Sequence, residues 1–461
     1  MNKSLLTSLN GLVGQGGTRS EEINEAFSQS LFAPGKLVFR GDSFSPSLSG
    51  RWIIAPGQFS VHSSVAIVSS RLKRDLENQH HWFEHLRSAL TSVSRRQQTI
   101  VTSTGTTCHR FLKHAANRIG IPLIQLQMDD KFTVKEWLLG RAQDISDETL
   151  FVSPHSNLLT PDDILLELAP TIFAIQLNPN SGTFARLRAK VGSASKRVFV
   201  PTHPALVPPK IQQTLQKRGA ISWHLLPHVE STDPSTAVPS SLTLPSPASP
   251  PRRRKKQIIK LSDWNPSDLF LYHCTRRRYG PWPEQSDDSF LDELLWEQPT
   301  DRSPLSVLKV ILKEKKLRAS SSFNRSGAKV VSLTECTLAS IKSKRVFRSH
   351  LSRWDFEPYG IGFQRDFLKS AFGARPVLYG TDDQYERLAD SERPYFQKAA
   401  TILAGSKKID WSDEQEWRIL GDVVFPKKET NRIILFVSSM SDANELSSVT
   451  TKTIVVLNPY P

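Results

Sequence analysis

Cysteine is scarce. The 461 residues hold three, Cys108, Cys274 and Cys336, far apart and without a Cys-x-x-Cys spacing. An odd, scattered set excludes a disulfide framework and a cysteine-built zinc site, and it fits a reducing cytoplasm. No metal site is expected. Long apolar runs are missing too. Nothing approaches the roughly 18 to 20 apolar residues that a bilayer span needs, so no membrane partner is expected. Lys3 and a short apolar patch open the chain, but no signal-peptide core follows. Acidic residues are the third shortage: 45 Asp and Glu stand against 60 Lys and Arg, a formal net charge of +15. That imbalance fits a polyanionic partner, either nucleic acid or a phosphate-bearing nucleotide, and fits equally a generally basic soluble protein.

The length exceeds one ordinary core, so two domains are the default. The divide is legible. Residues 229–257 are dense in Pro, Ser and Thr, poor in large apolar side chains, and end in the basic run Arg252-Arg253-Arg254-Lys255-Lys256. Such a segment cannot bury enough surface to fold and reads as a flexible linker. The basic run either keeps it extended in solvent or touches nucleic acid. Residues 1–50 read as a partly ordered lead-in with a weak helical stretch near 21–32. The expected domains are 51–228 and 258–461.

In the first domain, Val65–Val68, Thr99–Thr102, Pro122–Leu126, Thr171–Ile175 and Arg197–Pro201 read as buried strands. Helical spacing separates them, with Trp82, Leu86 and Leu90 on one face and Phe111, Ala115 and Ile119 on another. Strands alternating with helices predict a Rossmann-like α/β domain with a parallel sheet. Its strand-to-helix turns are rich in small polar residues: Ser69-Ser70-Arg71, then Ser103 to Gly105, then Ser181-Gly182-Thr183. Backbone N–H groups at such turns favour phosphate, so these residues form the expected phosphate site.

The order of these pieces, with His114-Ala115-Ala116 leading to Gly120-Ile121-Pro122 and with Pro161-Asp162-Asp163, resembles the DprA and LOG-like (SLOG) Rossmann-like domains. The resemblance covers about residues 60–225. It implies ligand sensing or single-stranded DNA binding. The glycine of DprA-like chains before Ser-Arg is Ser69 here, and the glycine-rich loop with the catalytic Glu of LOG hydrolases is absent.

The second domain reads as α+β. Its strands are Phe270–Thr275, Val330–Cys336, Tyr359–Phe363, Arg375–Tyr379, Arg432–Val437 and Thr453–Leu457. Pro376 puts its strand at an edge. An amphipathic helix is expected over 303–317 and a helical segment over 391–403. Trp411-Ser412-Asp413-Glu414-Gln415-Glu416-Trp417-Arg418 is the most chemically loaded stretch. As an extended strand it would send Glu414, Glu416 and Arg418 to one face, with Trp417 and Ile419 to the other. A carboxylate beside an aromatic and an Arg suits an active site and suits a structural ion pair.

Tyr272-His273-Cys274-Thr275, Ser332-Leu333-Thr334-Glu335, Tyr359–Phe363, Pro376–Tyr379 and Glu414–Arg418, in that order, resemble the AbiGi-type abortive-infection domain. More distantly, they resemble DarT-type ADP-ribosyltransferases. The resemblance implies a bacterial defence effector that uses NAD. His273 and Thr275 would lie near its ribose or amide, Ser332 and Thr334 would join them in binding the cofactor, and Arg418 would pair with a carboxylate or with the pyrophosphate. Glu416, with Glu414 as neighbour, would support the cleavage of the nicotinamide bond. The rival reading has no enzyme: a DprA-like half grips single strands and the other half meets a protein partner, or the whole chain is an interaction protein of antitoxin type.

Overall fold

The computed structural model describes residues 36–40, 46–57, 59–128, 148–152, 159–225, 258–321, 324–348, 353–402, 408–426 and 431–458. The expected linker with its basic run and the expected helical stretch near 21–32 lie outside the described residues. Packing divides the chain into two units. One is Met1–Thr236 with Gly280–Thr300, and the other is Ala237–Tyr279 with Asp301–Pro461. Gly280–Thr300 thus pack with the first unit although they follow the linker in sequence.

The first unit is a nine-stranded sheet. Its strands are β1 (Lys36–Arg40), β2 (Trp52–Pro56), β3 (Ser64–Val68), β4 (Thr99–Ser103), β5 (Leu123–Met128), β6 (Thr149–Val152), β7 (Thr171–Ala174), β8 (Arg197–Pro201) and β9 (Ile221–Trp223). The order across the sheet is β1-β2-β6-β5-β4-β3-β7-β8-β9, parallel from β6 to β9, with β1 and β2 antiparallel at one edge. Helices α1 (His80–Arg95), α2 (His109–Ile119), α3 (Pro161–Leu168), α4 (Gly182–Lys190) and α5 (Pro209–Gln216) connect the strands. Strands β3 and β7 are buried along their whole length, which is why they read as unbroken apolar runs. Helix α1 buries Trp82, Phe83, Leu86, Ala89, Leu90 and Val93, the stripe its spacing predicts. Helix α3 starts at Thr160, whose hydroxyl and the Asp163 carboxylate cap each other's backbone N–H, with Pro161 in the first turn.

Helix α6 (Asp287–Trp296) completes this unit. Phe290, Leu294 and Leu295 enter the same core as Trp82, Phe83, Leu86 and Phe111. Its polar side is pinned as well: Asp292 meets His114 at 2.8 Å, and Arg87 donates to the Leu295 carbonyl at 2.8 Å.

The second unit holds an eight-stranded mixed sheet. Its strands are β10 (Ile258–Lys260), β11 (Phe270–Cys274), β13 (Val330–Thr334), β16 (Gly360–Gln364), β17 (Arg375–Pro376), β22 (Glu416–Leu420), β24 (Ile433–Val437) and β25 (Thr453–Val456). The order is β10-β25-β24-β16-β11-β13-β22-β17, so the strand with Pro376 stands at the edge, as the proline requires. Four two-stranded ribbons accompany it. They pair β12 (Lys316–Leu317) with β23 (Val423–Val424), β14 (Val346–Arg348) with β15 (Arg353–Asp355), β18 (Leu378–Gly380) with β19 (Phe396–Lys398), and β20 (Ala400–Ile402) with β21 (Lys408–Asp410). Helices α7 (Pro304–Glu314), α8 (Leu338–Lys344), α9 (Arg365–Phe372), α10 (Asp382–Glu386) and α11 (Met440–Ser447) complete the described residues. The α+β expectation stands.

Three local expectations do not. Arg375–Tyr379 is not one strand: Arg375–Pro376 pair with β22, and Leu378–Gly380 pair with β19 in a separate ribbon. The described part of the expected helical segment, residues 391–402, is not α-helical: a short turn, Arg393–Tyr395, leads into β19 and β20. Pro394 lacks a helical donor, and the Pro394 and Phe396 carbonyls accept from the Arg418 guanidinium rather than from a following helical turn. Nor is Trp411–Arg418 one strand. Ser412–Glu414 form a tight helical turn, Gln415 takes the left-handed conformation at φ 45°, and the strand starts only at Glu416. Glu414 therefore reaches its position by a turn, not by strand alternation.

Candidate functional site

In the second unit, β11, β13 and β22 lie side by side. Tyr272 pairs with Thr334, and Thr334 with Glu416; Ser332 pairs with Arg418. Directly paired residues share a face, so Tyr272, Ser332, Thr334, Glu416 and Arg418 floor one side. Leu271, Leu333, Trp417 and Ile419 alternate to the other side and enter the core. Over the polar side lies a cavity of about 400 Å³, bordered also by Arg276, Arg318, Arg353, Asp355, Trp411 and Glu414.

Arg418 is buried, at 3% exposure, and its five N–H groups are all engaged. Two go to Glu416 at 2.9 and 3.0 Å, two to the Pro394 and Phe396 carbonyls at 2.9 and 2.8 Å, and one to Gln397 at 3.0 Å. It holds the fold around the cavity and has no donor left for a pyrophosphate. Glu416 is correspondingly clamped. Trp417, on the opposite face, donates its indole N–H to Glu335 at 3.0 Å, and Arg365 holds the other Glu335 oxygen at 2.7 Å.

Glu414 is different. Its Oε1 is buried without a hydrogen-bond partner, and the nearest cation, Arg348, is 3.9 Å away. Burial, then the Asp355 and Glu416 charges, push its carboxyl up to about 7, against the opposing pull of Arg348 and Arg276. Asp355 in turn collects three arginines: Arg276 at 3.2 Å, Arg348 at 3.3 Å and Arg353 at 3.0 Å. One end of the cavity is thus a carboxyl poised to carry a proton near neutral pH. Beside it, with Arg348 shared between them, stands a cluster of arginines organised on a buried carboxylate.

The expected partners of Glu416 do not all converge on it. Alternation along β11 puts His273 and Thr275 on the face opposite Tyr272. His273 borders the cavity, but its Nδ1–H donates to the Ser332 carbonyl at 2.9 Å, and burial holds its imidazole below the usual range. Thr275 is buried and donates to the Pro304 carbonyl at 3.0 Å, outside the cavity. Thr334 does serve the site: its hydroxyl donates to the Glu414 carbonyl at 2.6 Å and fixes the turn. Sequence reasoning missed Arg276 as an Asp355 partner, and Arg348, Arg353 and Asp355 altogether. They come from a ribbon that no motif marks.

In the first unit, β3 and β7 lie side by side, and the chain winds outward from β3 through β4 to β5 and, in the opposite direction, from β7 through β8 to β9. The crevice at the carboxyl ends of β3 and β7 is therefore the topological switch point of a Rossmann-like unit. The three turns singled out in the sequence all leave the carboxyl ends of adjacent strands, β4, β3 and β7. Ser70 donates to Ser181 at 2.8 Å across the switch point and accepts the Asn178 N–H at 3.0 Å. Ser181 also caps α4 through the Phe184 N–H. Ser69 accepts the Trp82 indole N–H at 2.9 Å, and Ser103 donates to the Leu126 carbonyl at 3.0 Å. Thr183 donates to Asp162 at 3.2 Å. These hydroxyls build the crevice. Gly105 (φ 82°), Gly182 and Arg71 are exposed residues of these turns, and Lys73, two residues after Arg71, is exposed as well.

The strand order and the parallel run define the first unit as a Rossmann-like α/β unit, and the second as α+β. No family model matches the chain, and no curated protein matches it. Among solved structures, it is similar to DNA processing protein A from Helicobacter pylori, studied for its single-stranded DNA binding mode. Identity is 12% and the TM-score 0.27, over 41% of this chain and 90% of that one. It is also similar to DNA processing protein A from Streptococcus pneumoniae, at 13% identity and a TM-score of 0.27, over 47% of this chain and 83% of that one. Likenesses at these scores carry no functional weight. Among the described residues, no helix is long and apolar enough to cross a membrane, and no group of three His, Cys, Asp or Glu could hold a metal ion.

Proposed function

We propose that the first unit binds single-stranded nucleic acid through phosphates seated at its switch-point crevice. The carrying observation is the convergence of three small polar turns at the carboxyl ends of β4, β3 and β7, with Arg71 and Lys73 exposed beside them. Backbone N–H groups in such turns and nearby cations suit a phosphate. Fluorescence anisotropy with a labelled single-stranded oligonucleotide tests this. Binding should weaken steeply as salt rises, and Arg71→Glu/Lys73→Glu should weaken it at every salt concentration. A folded wild-type protein that ignores the oligonucleotide at low salt would sink the reading.

A second reading concerns the second unit, and Glu414 carries it. We propose that its cavity takes a phosphate-bearing nucleotide such as NAD, with the arginines on Asp355 turned to the phosphates. The abortive-infection resemblance extends this to an ADP-ribosyltransferase-like defence effector. Glu414, with its raised carboxyl, is the better proton carrier; Glu416, clamped by Arg418, is the electrostatic neighbour. Release of nicotinamide from NAD tests it, with nucleic-acid and protein acceptors supplied. Wild type should release nicotinamide, and Glu414→Gln should release little. If wild type and Glu414→Gln are equally inert while folded, the transferase reading fails and nucleic-acid binding by the first unit is untouched.

A further inference from the structure

The ribbon of β14 and β15 in the second unit exposes two large aromatic rings. Phe347 is 48% exposed and Trp354 is 38% exposed. They are direct cross-strand partners, so both rings stand on one face, with centroids 5.4 Å apart. The Arg345 guanidinium lies over the Trp354 ring at 4.1 Å. Alternation sends Arg348, Arg353 and Asp355 to the other face, where Asp355 holds both arginines. The local carboxylates are withdrawn: Asp355 is 2% exposed, and Glu357 is 7% exposed and paired with Arg345 at 3.1 Å. Solvent therefore meets aromatic faces and cations, with no exposed carboxylate among the described residues from 345 to 357.

A protein core would bury such rings, and the described residues of the second unit leave these partly open to solvent. Every nucleobase has a π-face, and a ring pair with a stacked guanidinium offers surfaces for successive bases. Charge complementarity favours a polyanion here over an acid-and-base-balanced protein surface. We propose that Phe347, Trp354 and Arg345 form a base-stacking platform for single-stranded nucleic acid, a contact separate from the crevice of the first unit and not dependent on it.

The test uses the full-length chain and an oligonucleotide carrying 5-iodouracil. Irradiation should crosslink it to the peptide containing Phe347 or Trp354. Phe347→Ala/Trp354→Ala should abolish that crosslink and weaken binding roughly tenfold or more, with the melting temperature unchanged because both rings are at the surface. Arg71→Glu/Lys73→Glu should leave the ribbon crosslink in place. Crosslinks confined to the first unit, with the ribbon variant binding as wild type, overturn the platform and leave the crevice reading standing. The reverse pattern, with loss only in the ribbon variant, overturns the crevice instead. A ribbon variant that changes only self-association in light scattering marks a protein contact and also overturns the platform.

Discussion

Arg418 and Glu416 pair within one strand, two residues apart on the same face, through hydrogen bonds of 2.9 and 3.0 Å. The remaining Arg418 donors staple β22 to the Pro394–Gln397 segment. Arg418→Met would leave a largely buried carboxylate and two carbonyls unpaired. The expected loss is about 3 to 5 kcal/mol, the range for breaking a buried pair. Arg418→Lys should recover little, because one ammonium cannot serve Glu416 and three further acceptors at once. Glu416→Gln combined with Arg418→Met should cost less than Arg418→Met alone. Urea unfolding followed by tryptophan fluorescence measures all three.

Glu414 predicts a pH dependence of stability with a definite sign. Its folded carboxyl titrates near 7, above the ordinary 4.5, so the folded state binds this proton more tightly than the unfolded chain. Below about 4.5 both states carry the proton and the group costs nothing. As pH rises from there through 7, stability falls, and above 7 the full cost is in place. A shift of this size corresponds to roughly 3 kcal/mol at full burial. With 25% of the side chain exposed, solvent screening reduces it to about 1 to 2 kcal/mol. Glu414→Gln should therefore stabilise the protein at pH 8, change little at pH 4.5, and flatten the profile between them. Melting temperatures at the two pH values suffice to check it.

The Rossmann-like unit was legible because its strands are continuous apolar runs and its helices keep a clean stripe. Both are local patterns. The switch-point turns were legible for the same reason, but their hydroxyls proved to be structural, since hydrogen-bond partners such as Trp82 and Asn178 are far off in sequence. In the second unit, the opposite facing of Trp417 and Arg418 followed from strand alternation. The position of Glu414 did not, because one left-handed residue, Gln415, breaks the alternation. Asp355, Arg348 and Arg353 were invisible because no motif marks their short ribbon, and Arg276 reaches Asp355 only across 79 residues of sequence. The same holds for Gly280–Thr300, whose apolar residues carry no mark of the core they join.

Gly360 sits in β16 between β11 and β24, where the backbones leave no room for a side chain. A Cβ there would stand 2.1 Å from the His273 carbonyl oxygen and 2.5 Å from the Phe436 ring. The ring is fully buried and the carbonyl belongs to a neighbouring strand, so neither can swing away. Gly360→Ala should cost about 3 kcal/mol through displaced strands. Gly105→Ala meets no neighbour and pays only for its positive φ, so a loss of about 1 kcal/mol is expected. Chemical denaturation of the two variants should rank them in that order, and equal losses would refute the packing argument.

Helix α6 carries the last prediction. Phe290, Leu294 and Leu295 are 3%, 1% and 0% exposed within the first unit's core. At roughly 1.5 to 3 kcal/mol for each buried side chain, their burial contributes about 6 kcal/mol. A whole domain is commonly stable by only about 5 to 15 kcal/mol. The first unit should therefore not be self-sufficient when it ends before the linker. In the full chain, Leu294→Ala should cost about 2 to 5 kcal/mol, with the loss localised by hydrogen exchange to α1, α2 and the strands beneath them. Asp292→Asn keeps the apolar contacts and loses only the charge facing His114 and, at 3.8 Å, the exposed Arg118, so it should cost under about 1 kcal/mol. A fragment of residues 46–228 should bind a hydrophobic dye and melt broadly, and one that also carries 280–300 should melt cooperatively. If the shorter fragment melts as sharply and at the same temperature as the longer, α6 is an ornament on a complete core and the argument fails.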